Sequence, residues 1–211
     1  MIHIINKLNC HIYADDIESM FRIRHNIFVE QRGWRALKKP DGLERDELDN
    51  DDTIYFLKLC SSGRILGGMR LVPTTKPTQL STIFRHTCTL AEPPNAPKQF
   101  EWSRYFIVDT QYRSATGKAV HMELYTGILE YAVKYDIEAL SGFIDMQIYE
   151  RSKRMPWNMK RLGVPVEYGG LNGEPLGCGL PIQLMVDRTM LRKTKIMWRM
   201  TKPVLATETN N

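Results

Sequence analysis

The sequence predicts an α/β fold with a mixed, mostly antiparallel sheet, and three observations carry that expectation. The run EWSRYFIVD, rich in aromatic and β-branched residues, is followed by a stretch of helical period and then by EALSGFID. A strand, a helix and a strand in that order make two parallel strands joined by a right-handed crossover. Ahead of this unit, TIYFLKL and RILGGMRL flank Cys60-Ser-Ser-Gly63, the pattern of an antiparallel hairpin. Behind it, PVEYGG and PIQLMVD supply late strands.

Taken in order, residues from about Asp16 to Gln31 place Ile17, Met20, Phe21, Arg24 and Phe28 on one helical stripe, with Asp15 or Asp16 as cap. After Trp34, the carboxylate-dense PDGLERDELDNDD reads as a loop, because Pro40, Gly42 and Asn50 oppose regular structure. The hairpin follows, with Arg70 near the end of its second strand. Residues Pro73 to Lys98 carry five prolines and read as a long irregular connection with one helical turn near Leu80 to His86. Val120, Leu124, Ile128, Tyr131 and Tyr135 then repeat at helical spacing, so a helix begins after Gly117. MQIYERSKRM reads as helical as far as Pro156, and the polar tail from Pro203 to Asn211 is expected to fray.

With 43% apolar and 25% charged residues, the 211-residue chain has the composition of one soluble domain rather than a disordered or fibrous one. The domain is expected to span 1–211, with a mobile amino-terminal lid over about 1–50 and the polar tail over about 203–211. No window approaches the roughly 18 to 20 apolar residues of a membrane span, and the start is too polar for a secretion signal, so no membrane partner and a cytoplasmic location are expected. Cys10, Cys60, Cys88 and Cys178 form no CxxC pair, and the five histidines show no ligand spacing, so no metal is expected. A net charge of +5 favours anionic partners without choosing among them.

The junction DTQYRSATGKAV opens the crossover helix, where small residues let several backbone N–H groups and the helix dipole face one anion. It resembles the pyrophosphate- and pantetheine-holding loop of the N-acetyltransferase (GNAT) superfamily, with Arg113, Gly117 and Ala119 in comparable places and one extra residue. A stronger pattern is spread over four segments: Arg24, Phe28 and Trp34 in RHNIFVEQRGW, Asp46 and Asp49 in RDELD, Arg70 in GGMRL, and Glu101, Ser103 and Arg104 in EWSRYFIV. In order, identity and spacing these nine positions resemble the acyl-homoserine-lactone synthases, the autoinducer synthases of bacterial quorum sensing. Singly, each has an ordinary reading: an arginine that snorkels, aromatic residues that fill a core, acids that face solvent. Concurrence is what gives them meaning, because charged groups converging on one cleft are more often functional than scattered ones.

The resemblance implies a GNAT-like three-layer αβα fold whose sheet splits in a V between the two central parallel strands. It also implies a reaction. The α-amine of S-adenosylmethionine attacks an acyl thioester, then the methionine carboxylate closes onto its γ-carbon and expels methylthioadenosine; both compounds are substrates, and no cofactor is needed. An amine of pKa about 8 is mostly protonated at neutral pH, so a base is required. Glu101 is the candidate. Asp46 and Asp49 suit the sulfonium and ammonium, and Arg70 or Arg104 the carboxylate. Arg24 ties the amino-terminal region to those acids, and Phe28 and Trp34 cover the donor. Glu101, Ser103 and Arg104 can line one site only if their strand is bulged, which would also free a backbone N–H for the oxyanion.

On the acyl side the resemblance points to Phe106, Arg113, Gly117, Phe143 and Trp157. Phe143 stands where members making 3-oxo products carry threonine; its ring predicts an unsubstituted, short, branched or aromatic acyl group. The thioester is acyl-CoA or acyl-carrier protein, and the basic run Arg151, Lys153, Arg154, Lys160 and Arg161 suits the phosphates of one or the acidic face of the other. Two other functions stay open: a GNAT-type acyltransferase acting on another amine, and a basic nucleic-acid-binding module. The second lacks a recognition helix or an aromatic-interleaved motif, so no nucleic-acid partner is expected.

Overall fold

The computed structural model describes residues 1–115, 117–170 and 175–206. Eight strands form one sheet: β1 (Ile2–Ile5), β2 (Ile54–Leu59), β3 (Ile65–Pro73), β4 (Gln99–Ile107), β5 (Ala139–Asp145), β6 (Asn158–Arg161), β7 (Val166–Tyr168) and β8 (Gly177–Met185). Their order is β1-β2-β3-β4-β5-β8-β6, with β7 also paired to β8. Every pairing is antiparallel except β4 with β5. That parallel seam is short, running from Gln99–Ala139 to Glu101–Ser141. Beyond it the two strands part, and the sheet opens into the expected V. Gly142 stands at the parting, where a Cβ would lie 2.9 Å from the Trp102 carbonyl oxygen, so no larger residue lets β5 pass so close to β4.

Helix α1 (Ala14–Arg24) covers one face of the sheet; α2 (Val120–Lys134) covers the other, with α4 (Arg188–Met197) packed beside it, while α3 (Met146–Ser152) follows β5. Each face is sealed by its own core. Phe56, Leu71, Leu124, Ile128 and Leu140 pack under α2, and Met20, Phe21, Leu57 and Phe106 pack under α1. Burying a side chain of this kind is worth about 1.5–3 kcal/mol. No helix among the described residues is long and apolar enough to cross a membrane.

Three features depart from the sequence expectation. The first helix changes geometry after Arg24: His25–Gln31 continues as a π-helical turn, and Tyr13 occupies the cap position without a side-chain capping bond, leaving Asp15 and Asp16 inside the first turn. Strands β1 and β6, each four residues long, and helix α4 were not anticipated. The tail is not frayed as far as it is described. The Ile2 N–H donates to the Val204 carbonyl at 2.9 Å and the Ala206 N–H to the Ile2 carbonyl at 2.8 Å, so residues 204–206 lie along β1. The rest of the tail, 207–211, lies outside the described residues.

Candidate active site

Strand β4 supplies the centre. Opposite β3 its register runs Phe106–Gly68 and then Ser103–Arg70, so Arg104 and Tyr105 together face the single residue Met69. This is the bulge that the site requires. At the bulge Arg104 takes φ +51°, a left-handed conformation that costs a non-glycine residue about 1–2 kcal/mol. The extra residue turns Arg104 to the face of Ser103 and sends Tyr105 back against α2, where it stacks on Tyr125 at 5.3 Å.

On the α1 face three arginines meet three carboxylates. Arg24 donates from Nε to Glu44 at 2.6 Å and through both Nη atoms to Asp49 at 2.8 Å. Arg70 grips Asp46 at 2.6 and 2.9 Å, lies 3.0 Å from Asp49, and gives its Nε–H to Ser103 Oγ at 2.8 Å. Arg104 reaches Glu44 at 3.0 Å and Asp46 at 2.8 Å. Tyr55 adds a hydroxyl to Asp49 at 3.1 Å. Burial by itself would raise the pKa of Asp46 and Asp49; the facing guanidinium groups of Arg70 and Arg24 outweigh it and hold both carboxyls below their ordinary 3.8. Asp46 is the most open of the three acids, with 18% of its side chain exposed against 1% for Glu44 and Asp49.

In front of this cluster lies a cleft of about 380 Å³, set in the V between β4 and β5 and walled by Phe28, Trp34, Ser103, Arg104, Tyr125 and Phe143 among others. Phe28 and Trp34 stack face to face at 5.4 Å, and Arg104 lies 5.9 Å above the Phe28 ring. Phe143 stacks on Phe84 at 4.4 Å. Among the described residues Arg24 and Arg70 have every guanidinium nitrogen engaged, whereas Nη1 of Arg104 makes no hydrogen bond. Arg104 is therefore the arginine of the cluster with a donor left for a ligand, and it is also the one on the cleft wall.

The remaining predicted residues divide. Glu101 is buried and not on the cleft wall: its two oxygens accept the N–H groups of Gln79 at 2.8 Å and Leu80 at 2.9 Å, and burial pushes its carboxyl up against the opposing effect of those bonds. Gln79 does line the cleft, one residue away from that carboxylate's partner Leu80. Phe106 is corrected: the bulge turns it into the core under α1, away from the cleft, among Leu57, Ile65 and Phe28. Trp157 is not on the cleft wall and lines a small apolar cavity that adjoins the cleft. In the loop before α2, Gly117 takes φ +73° and Arg113 bonds its own loop carbonyls of Thr110 and Tyr112. The α2 amino terminus has no side-chain cap, and Thr116 lies outside the described residues. Arg151, Lys153, Arg154, Lys160 and Arg161 are exposed on α3, the turn after it and β6.

A family description, autoinducer synthase, matches residues 9–172, a span that contains the bulged strand, the acids and all three arginines. The chain belongs to the autoinducer synthase family. Isovaleryl-homoserine lactone synthase of Bradyrhizobium diazoefficiens is 38% identical over 165 residues, which are 78% of this chain and 73% of the relative. An acyl-homoserine-lactone synthase of Pseudomonas chlororaphis is 30% identical over 164 residues, covering 76% of each. Among solved structures, the CoA-dependent acyl-homoserine lactone synthase BjaI with SAM and isopentyl-CoA superposes with a TM-score of 0.86 at 32% identity, covering 98% of this chain and 92% of its own. The CoA-dependent synthase MesI gives 0.84 at 30% identity over 98% and 99%. A Lactobacillus plantarum structure described as an N-acetyltransferase shares the fold alone, with a TM-score of 0.52 at 16% identity. The architecture of this autoinducer synthase is thus GNAT-like, as its split sheet already indicates.

Sequence reasoning missed two members of the charge cluster. Glu44 sits two residues before Asp46 in the same acidic run, and in an extended loop alternate residues share a side, so a spacing of two was the available signal. Tyr55 carried none, since an aromatic residue opening a strand reads as core.

Proposed function

We propose that this autoinducer synthase joins S-adenosylmethionine to a short, unsubstituted or branched acyl group carried by coenzyme A. The chain is an acyl-homoserine-lactone synthase. In the cleft, the α-amine of S-adenosylmethionine attacks the thioester carbonyl; the new C–N bond replaces C–S, and the thiolate leaves. The donor's carboxylate oxygen then attacks its own γ-carbon, the C–S⁺ bond breaks, and methylthioadenosine departs neutral.

What carries this reading is Arg104, turned by the bulge onto the cleft wall with one guanidinium arm unspent while its other nitrogens are held by Glu44 and Asp46. A fixed fork of this kind suits the carboxylate of an amino acid. Asp46, the partly exposed acid, stands beside it for the ammonium and sulfonium. Phe28 and Trp34 form a stacked cover over the donor; Arg24, Asp49 and Arg70 are the frame that holds Asp46 and Arg104 in place. Glu101 takes the amine proton through a water past Gln79, and its buried setting favours that role by making the carboxylate more basic than usual. The bulge offers the backbone N–H that meets the oxyanion, with Ser103 beside it.

For the acyl group, the Phe143–Phe84 stack narrows the cleft with apolar surface and offers nothing to bond a 3-oxo group. The names of BjaI, MesI and the isovaleryl relative support a coenzyme A thioester of small size. Arg113 and Gly117 at the open end of α2, with the exposed cations of α3 and β6, take its phosphates. The test is to incubate the protein with S-adenosylmethionine and a panel of acyl-CoA and acyl-carrier thioesters and to follow lactone and methylthioadenosine by mass. A short-chain lactone formed from coenzyme A thioesters is expected. Acylation without methylthioadenosine release would instead mark an acyltransferase of another amine.

A further inference from the structure

Behind the cleft lies an apolar cavity of about 20 Å³ between α2, α3, β5 and β8, room for about one water-sized group. Trp102, Tyr125, Ile144 and Ile148 belong to the walls of both spaces, so the inner cavity continues the cleft into the core. Trp157 forms part of its far wall. Three contacts fix that indole: the Tyr125 ring at 5.4 Å, the Trp198 ring at 6.1 Å, and a hydrogen bond from Nε1 to Thr194 Oγ1 at 3.0 Å. Thr194 is fully buried on α4, and no residue of α4 lines either space. An indole N–H inside an apolar wall needs an acceptor, and leaving it unmade is costly. Among the described residues Thr194 is the acceptor it has.

We propose that Thr194 is a positioning residue for acyl selectivity: by accepting the Trp157 N–H, it holds the indole as the end wall of the acyl pocket and restricts the enzyme to short acyl chains. This rests on the reading of the cleft as the thioester site. Without the hydroxyl, the indole N–H gains by rotating towards water, and that rotation lengthens the pocket on its apolar side. Nothing in this arrangement touches the arginine and acid cluster, which lies across the sheet beneath α1.

The test compares the parent with Thr194→Val, Thr194→Ala, Thr194→Ser and Trp157→Phe, using isovaleryl-CoA, hexanoyl-CoA and octanoyl-CoA at saturating S-adenosylmethionine, with lactones quantified by mass and folding checked by thermal melts. In Thr194→Val and Trp157→Phe the ratio of kcat/KM for hexanoyl-CoA over isovaleryl-CoA should rise about tenfold or more, the discrimination that one or two methylenes carry in an apolar pocket. The KM for S-adenosylmethionine should not change, and Thr194→Ser, which keeps the hydroxyl, should retain the parental ratio. Thr194→Ala should show the same rise and decides the matter if the valine variant does not fold. Uniform loss of turnover with an unchanged ratio in the folded valine or alanine variant would overturn the proposal. A parent that makes no lactone from any thioester would overturn the reading of the cleft, and the proposal with it.

Discussion

Replacing Glu44 by glutamine removes one negative charge from a buried cluster that holds Arg24, Arg70 and Arg104 against Glu44, Asp46 and Asp49. The carboxylate is 1% exposed and receives Arg24 Nε at 2.6 Å and Arg104 Nε at 3.0 Å. Glutamine presents an oxygen to one of these donors and its NH₂ to the other, so one contact becomes donor against donor and one guanidinium charge loses its counter-charge. Breaking a buried ion pair by removing one partner costs about 3–5 kcal/mol. The contact that survives puts the net near the lower end, about 3 kcal/mol. For a domain of this size, about 2–4 °C per kcal/mol lowers Tm by roughly 6–12 °C. Arg104 also loses one of its two anchors, so the KM for S-adenosylmethionine should rise about tenfold, more than kcat falls. Thermal melts followed by circular dichroism, with steady-state kinetics on the same preparation, check both. A Tm within about 2 °C of the parent and an unchanged KM would show that the cluster does not act as one unit.

Glu101→Gln should remain folded with a lower Tm, because the glutamine NH₂ must face the Gln79 or Leu80 N–H, and should lose about 100-fold or more in turnover. Because burial raises the carboxyl above its ordinary 4.5, the parent's kcat/KM should fall on the acid side at a pH above that value, and a pH profile of the variant should lack that limb. Phe143→Ala opens the Phe84 stack and should extend the accepted acyl chains; identical product profiles by mass spectrometry would refute it. Asp46 and Asp49 are held below 3.8 in the folded chain by the facing arginines, so the stability they provide is complete well above that value and is lost as the pH falls from it towards their lower folded values. Urea unfolding from about pH 6 to about pH 2 should show the midpoint drop mainly below about pH 4.

Local periodicity carried much of the architecture. The hairpin, the crossover and α2 were legible because their apolar spacing matches what one buried face demands, whereas the V came from the resemblance to the autoinducer synthases. β1 and β6 were not legible, because four-residue strands give too few alternations. In α4, Met190, Leu191 and Thr194 form an amphipathic stripe among charges, a signal that was present and not used. At the site, arginines and acids spaced far apart announced a cluster, yet not which of them faces the ligand. That choice depends on one extra residue in β4, which the need to bring Glu101, Ser103 and Arg104 to one site already implied. Phe106 was carried by the resemblance, and the structure packs it under α1 instead of on the cleft wall.

The lengthwise contact of β1 with residues 204–206 has a consequence for how the molecule is made. Ile2 leaves the ribosome well before its partners Val204 and Ala206, because β2 to β8 are made between them. Until residues 204–206 follow, that edge stays unpaired on its outer side, and a chain interrupted before them exposes a strand open to edge-to-edge pairing.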